Sequence, residues 1–99
     1  MKLLVSRRAY RQIETAQAWW VENRPTARAL LLDELANVEH LLRENPTFGA
    51  VYSSHKSGVV RRVFLSGTQK HVYYRYLVDR DELTVLAVWG ARRGRGPRL

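Results

Sequence analysis

Three β-like runs lie near the C-terminus, Val59–Leu65, Val72–Val78 and Leu83–Trp89, and arginine and tyrosine crowd the first two, with Lys70 and His71 just ahead of the second. Cleaving RNA through its own 2′-hydroxyl needs a base for that hydroxyl, an acid for the leaving oxygen, and cations for the phosphorane charge. Arg61, Arg62, Lys70, Arg75 and Arg92 could supply the charge, and His71, Tyr73, Tyr74 and Tyr76 could move protons. Tyrosines on a strand have a simpler use as half-buried sheet, with rings in the core and hydroxyls at the rim, and that reading carries more weight. The tail from Gly90 to Leu99 contains Arg92, Arg93, Arg95 and Arg98 and no acid. Guanidinium groups pair bidentately with carboxylate or phosphate and stack on rings. Such a surface is suited to an anionic partner: nucleic acid, an acidic protein segment, or both.

Other chemistries find little support. His40, His55 and His71 are scattered without metal-ligand spacing, and His40 reads as a partly exposed helix residue. With no cysteine there is neither a disulfide scaffold nor a thiolate site. No Gly-x-Ser-x-Gly elbow occurs. Asp79, Asp81 and Glu82 fall in a turn between strands, where solvation explains them. No helix-turn-helix or ribbon signature for duplex DNA is present.

The elements that must position these residues follow from patterning. Ninety-nine residues, 45% hydrophobic and 10% aromatic, make one globular domain spanning 1–99. Seventeen Lys and Arg against nine Asp and Glu leave a net charge of +8. The N-terminus has too short an apolar run for a signal peptide or a membrane span, so a soluble, cytoplasmic protein is expected. Leu3–Ser6 reads as a first strand with Ser6 as a helix N-cap. Ala9, Ile13, Ala16 and Trp20 form the stripe of a first helix ending near Asn23-Arg24, before Pro25. Pro25-Thr26 is expected to open a second helix with stripe Ala27, Leu31, Leu35, Val38 and Leu42, stopped by Asn45-Pro46. Thr47–Gly58 reads as irregular, and a three-strand meander follows. The order β-α-α-β-β-β predicts an α+β fold, a helical hairpin on a small, mostly antiparallel sheet.

That order, together with Ala29-Leu30-Leu31-Leu32-Asp33-Glu34-Leu35, Val60-Arg61-Arg62-Val63, Val72-Tyr73-Tyr74-Arg75-Tyr76 and the ending Val85 to Arg93, resembles the RelE/ParE toxin superfamily of type II toxin–antitoxin systems. The resemblance covers nearly the whole chain. It implies a toxin held in a hetero-oligomer by a cognate, acidic-tailed antitoxin, in a family associated with plasmid stabilisation. The RelE-like branch cuts messenger RNA in the ribosomal A site, often with a tyrosine or histidine near the C-terminus. After Trp89 this chain has no Tyr, His, Asp, Glu or Lys. The ParE-like branch inhibits DNA gyrase and carries a Gly-x-Arg-Arg type ending, here Gly90-Ala91-Arg92-Arg93. The resemblance therefore favours a non-enzymatic gyrase inhibitor without cofactor or metal, binding its target through Arg92, Arg93 and Arg95. Trp19, Trp20, Arg61 and Arg75 are the expected antitoxin contacts. The alternative is a ribosome-dependent endoribonuclease using Arg61, Arg62, Lys70, His71 and Arg92.

Overall fold

The structure, a computed structural model, describes residues 1–92 and 94–99. Its elements are β1 (Lys2–Val5), α1 (Arg7–Asn23), α2 (Leu30–Glu44), β2 (Ala50–His55), β3 (Gly58–Leu65), β4 (Lys70–Leu77) and β5 (Glu82–Gly90). One sheet runs in the order β1-β5-β4-β3-β2, antiparallel except for the parallel pair β1 and β5. The α+β architecture is as the patterning predicts, with two corrections, of which the first is that the segment read as irregular contains a fifth strand, β2. A second correction concerns Pro25-Thr26. These residues form a single 3-10 turn, Pro25–Ala27, and α2 starts at Leu30. The Arg28 carbonyl accepts from Gln17 Nε2 at 2.8 Å, which ties this connector back to α1.

Ser6 holds α1 in place at two ends. Its backbone is extended and its Oγ accepts from Ala9 N at 3.1 Å, the geometry of an N-cap. The same hydroxyl donates to Leu86 O at 3.1 Å. Here the β4–β5 register slips between Tyr73 and Tyr74, leaving Leu86 as the extra residue of a bulge. β1 pairs with β5 only as far as Val85, and Gln12 Oε1 then accepts from Val88 N at 2.8 Å. Side chains of the α1 segment thus satisfy the part of β5 that β1 does not reach. Ser6→Ala is expected to cost about 1–2 kcal/mol, since it removes both a cap and a bond to the bulge. Urea denaturation checks this, and a loss under about 0.5 kcal/mol would mean that neither bond contributes.

The main core lies between the helices and one sheet face. Leu31, Leu42, Leu65, Val72, Tyr74 and Leu83 are buried there, with Ile13, Ala16 and Trp20 of α1 packed on them. Each fully buried leucine contributes about 1.5–3 kcal/mol. The opposite face has a smaller cluster of Val60, Tyr73 and Ala87, flanked by Tyr52, Leu86 and Trp89. The C-terminal tail covers part of it. Trp89 Nε1 donates to Arg95 O at 3.0 Å, and Arg8, whose guanidinium lies 5.8 Å from the Trp89 ring centre, donates to Arg98 O. Pro97 is buried, and Gly96 sits so close to Tyr52 that any Cβ would collide with the hydroxyl. Gly96→Val should therefore release the tail, and trypsin should cut after Arg95 and Arg98 well before it cuts the domain. Unchanged cleavage would show that the tail is not seated on Tyr52.

Candidate functional site

Successive residues on a strand point to opposite faces, and that separates Arg61 from Arg62. Arg61 Nη1 donates to Gly49 O at 2.9 Å and to Thr47 O at 3.2 Å, so it clamps the loop leading into β2. Arg62 lies on the open face, 5.2 Å from the centre of the Tyr52 ring and in long contact, 3.4 Å, with the Tyr73 hydroxyl. His71 shares that face, its ring 5.3 Å from Phe64 and 5.9 Å from Tyr73. Burial, and then the Arg62 charge, hold its pKa below the ordinary 6.5. Lys70 begins β4 on the helix side, where it shares a cleft with Arg92. The five residues of the nuclease alternative thus fall into two separate pairs, Arg62 with His71 and Lys70 with Arg92, and a structural clamp, Arg61.

The depressed His71 pKa has a consequence for stability. An imidazole that protonates more readily when unfolded contributes fully above the unfolded value of 6.5, and that contribution is lost as pH falls towards the folded value. Melting temperatures should therefore drop between about pH 7.5 and 5.5 by more in the wild type than in His71→Gln. An equal drop in both proteins would remove His71 from the account.

The tyrosines are core. Tyr73 and Tyr74 are both buried, on opposite faces, while the Tyr76 hydroxyl donates to Asp81 Oδ1 at 2.7 Å. Asp81 takes a left-handed conformation, φ 45°, to close the turn before β5. His40 is an exposed α2 residue 3.3 Å from Glu44. Among the described residues no three His, Cys, Asp or Glu side chains gather to hold a metal. No helix of the described residues is long and apolar enough to cross a membrane.

The most distinctive surface is a cationic trough on the helix side. Arg11, Thr15 and Trp19, spaced four apart along α1, face the end of β5, and two clefts of about 390 and 640 Å³ meet at Trp19, Lys70 and Gly90. Arg24 and Arg92 line the larger one. Trp19 is 50% exposed and stands edge-on to Trp20, ring centres 5.4 Å apart. The far wall is the β3–β4 turn, held by Glu34, which accepts from Gly67 N at 2.8 Å, Thr68 N at 3.0 Å and Thr68 Oγ1 at 2.7 Å. Arg95 does not line this trough. It borders a different cleft with Arg8, Trp89 and Arg98. Arg93, the remaining arginine of the expected target surface, lies outside the described residues. The stem of Arg75 lies on the open face against Gly58, where an added Cβ would meet Arg75 Cδ at 3.2 Å. A narrow apolar slot of about 100 Å³ opens between the helices beside Leu3, Ile13, Leu35 and Val85.

No protein-family model matches this sequence, and no curated protein matches it. Among solved structures, a chain of the chromosomal ParDE TA system from P. aeruginosa superposes with a TM-score of 0.71 at 18% identity, covering 93% of this chain and 97% of that one. The fold is ParE-like. Helices and sheet agree over nearly the full length of both chains, as the sequence resemblance implies for architecture. At 18% identity most side chains are not shared between the two chains.

Proposed function

We propose that this chain is the toxin of a type II toxin–antitoxin system, of the ParE kind, that inhibits DNA gyrase and is neutralised by a cognate acidic antitoxin. The observation carrying this reading is the full-length match to a chain of a ParDE TA system. The separation of Arg62 and His71 from Lys70 and Arg92 speaks against the ribosome-dependent nuclease, which needs its proton carriers and cations around one phosphate. The target is met by arginines of the C-terminal segment, Arg92 from the trough and Arg95 from the cleft beside Trp89, with Arg93 as a further expected contact. An acidic, apolar antitoxin segment would anchor aliphatic side chains in the slot between the helices and reach Trp19. Trp20 and Arg61 are bound up in the fold, so changing them would act on the antitoxin through stability, whereas Arg75, half-buried on the open face, stays a direct antitoxin contact in this reading.

The test is a supercoiling assay. Purified toxin should block gyrase or trap cleaved DNA, and a cognate antitoxin should reverse the effect. In cells, SOS induction with intact messages supports this reading. Codon-phased cuts in translated messages would replace it with the nuclease alternative.

A further inference from the structure

We propose that the trough between α1 and the β3–β4 turn binds single-stranded nucleic acid without sequence preference, with phosphates on Arg11, Arg24 and Arg92 and a base stacked on Trp19. This inference does not rest on the gyrase reading, which requires no direct contact with nucleic acid, although the trough shares Arg92 with the proposed target surface and Trp19 with the proposed antitoxin contacts. Three features of the trough converge on that ligand. Its cations are mostly guanidinium, the group suited both to phosphate and to ring faces. Among the described residues that line it none is acidic, and Glu34 behind it has its carboxylate committed to the turn. At its centre Trp19 offers an indole half open to solvent and braced by Trp20.

A basic groove with an exposed aromatic is the arrangement that holds unpaired strands, since every base has a face to stack. An unpaired strand offers Trp19 a base face, whereas a duplex leaves none free. An acidic peptide is the rival occupant. A peptide needs sockets for aliphatic anchors, and the molecule has its socket elsewhere, in the slot beside Leu3, Ile13 and Leu35. The trough instead presents flat rings and charge.

Fluorescence anisotropy with fluorescein-labelled oligo(dT) and oligo(U) of fifteen nucleotides tests this on the full chain. Both should bind within a few-fold of each other, with a log–log salt slope of about −2 to −3 for three or four phosphates. Trp19→Ala should weaken binding about tenfold without altering the slope, and Trp19→Phe should restore most of it. R11E/R24E/R92E should weaken it at least about a hundredfold and flatten the slope. R7E/R28E/R80E makes the same charge change at exposed residues that line neither cleft, and it should retain most of the affinity. Circular dichroism confirms that each variant is folded. The proposal is overturned if the two triple variants lose affinity equally, if Trp19→Ala binds as the wild type does, or if a decaglutamate peptide competes as well as oligo(dT) at equal charge.

Discussion

Removing one hydroxyl, in Tyr74→Phe, is expected to destabilise the domain by about 2–4 kcal/mol, while Tyr73→Phe next door should cost under about 1 kcal/mol. Tyr74 is fully buried in the main core, and its hydroxyl has two backbone partners. It donates to Pro46 O at 2.7 Å and accepts from Gly49 N at 2.9 Å. Gly49 is itself buried, so phenylalanine would leave its N–H with no acceptor, a penalty of about 1–3 kcal/mol, and would also strand a carbonyl. Among the described residues the Tyr73 hydroxyl has only the long contact with Arg62 to lose. A second route to the same joint is Gly49→Ala, whose Cβ would meet the Tyr74 ring and hydroxyl at 2.8 Å and Arg62 O at 3.0 Å. Because the ring is walled in, the backbone of β2 must shift instead. Guanidinium denaturation of the three variants checks the ranking. Equal losses for the two tyrosines would mean that the Pro46–Gly49 joint does not hold β2 to the sheet.

That joint also shows why β2 was hard to read from sequence. Its six residues, Ala50-Val51-Tyr52-Ser53-Ser54-His55, sit at an edge, and a register shift between Val51 and Ser53 breaks the two-residue period. Val51 is 59% exposed although apolar, so hydropathy gives no inward face. What makes the segment a strand is non-local: the Tyr74 hydroxyl, the Arg61 clamp on Thr47 and Gly49, and pairing with β3. The elements read well from sequence are those whose signals are local. The Ser6 cap, the Ala9–Trp20 stripe, the stop at Asn45 before Pro46 and the alternation of β3 each depend on residues within a turn or two. The start of α2 slipped by a turn because Pro25 suits the first turn of a 3-10 helix as well as that of an α-helix. Functional surfaces are the least local of all. Treating Arg92, Arg93 and Arg95 as one patch follows their closeness in sequence, yet Arg92 and Arg95 line different clefts. The partners of Arg92 are Trp19 and Arg24, on the far side of the sequence, and only the pairing of Lys70 with Gly90 brings the ends of β4 and β5 to them.

The adjacent tryptophans give the last expected result, a division of roles between neighbours. Trp20→Ala should destabilise the domain by about 2–4 kcal/mol, because its ring packs on the main core beside Ile13 and Ala16 and its removal leaves a hole there. Trp19→Ala should stay within about 0.5 kcal/mol of the wild type, since half its surface already faces water. Against a total of about 5–15 kcal/mol for a domain of this size, the first change populates unfolded chain and the second does not. Antitoxin affinity should fall in both variants, for different reasons, and toxicity should fall in Trp20→Ala alone. In Trp20→Ala the losses should track the unfolded fraction and recover at lower temperature or when the antitoxin is co-expressed, since a partner that binds only folded toxin pulls the equilibrium back. In Trp19→Ala the loss of antitoxin affinity should persist at every temperature at which circular dichroism reports full structure. A Trp19→Ala toxin that is folded and normally neutralised would place the antitoxin contacts away from the end of α1. The apolar slot beside Leu3, Ile13 and Leu35 would then be the remaining surface for that partner.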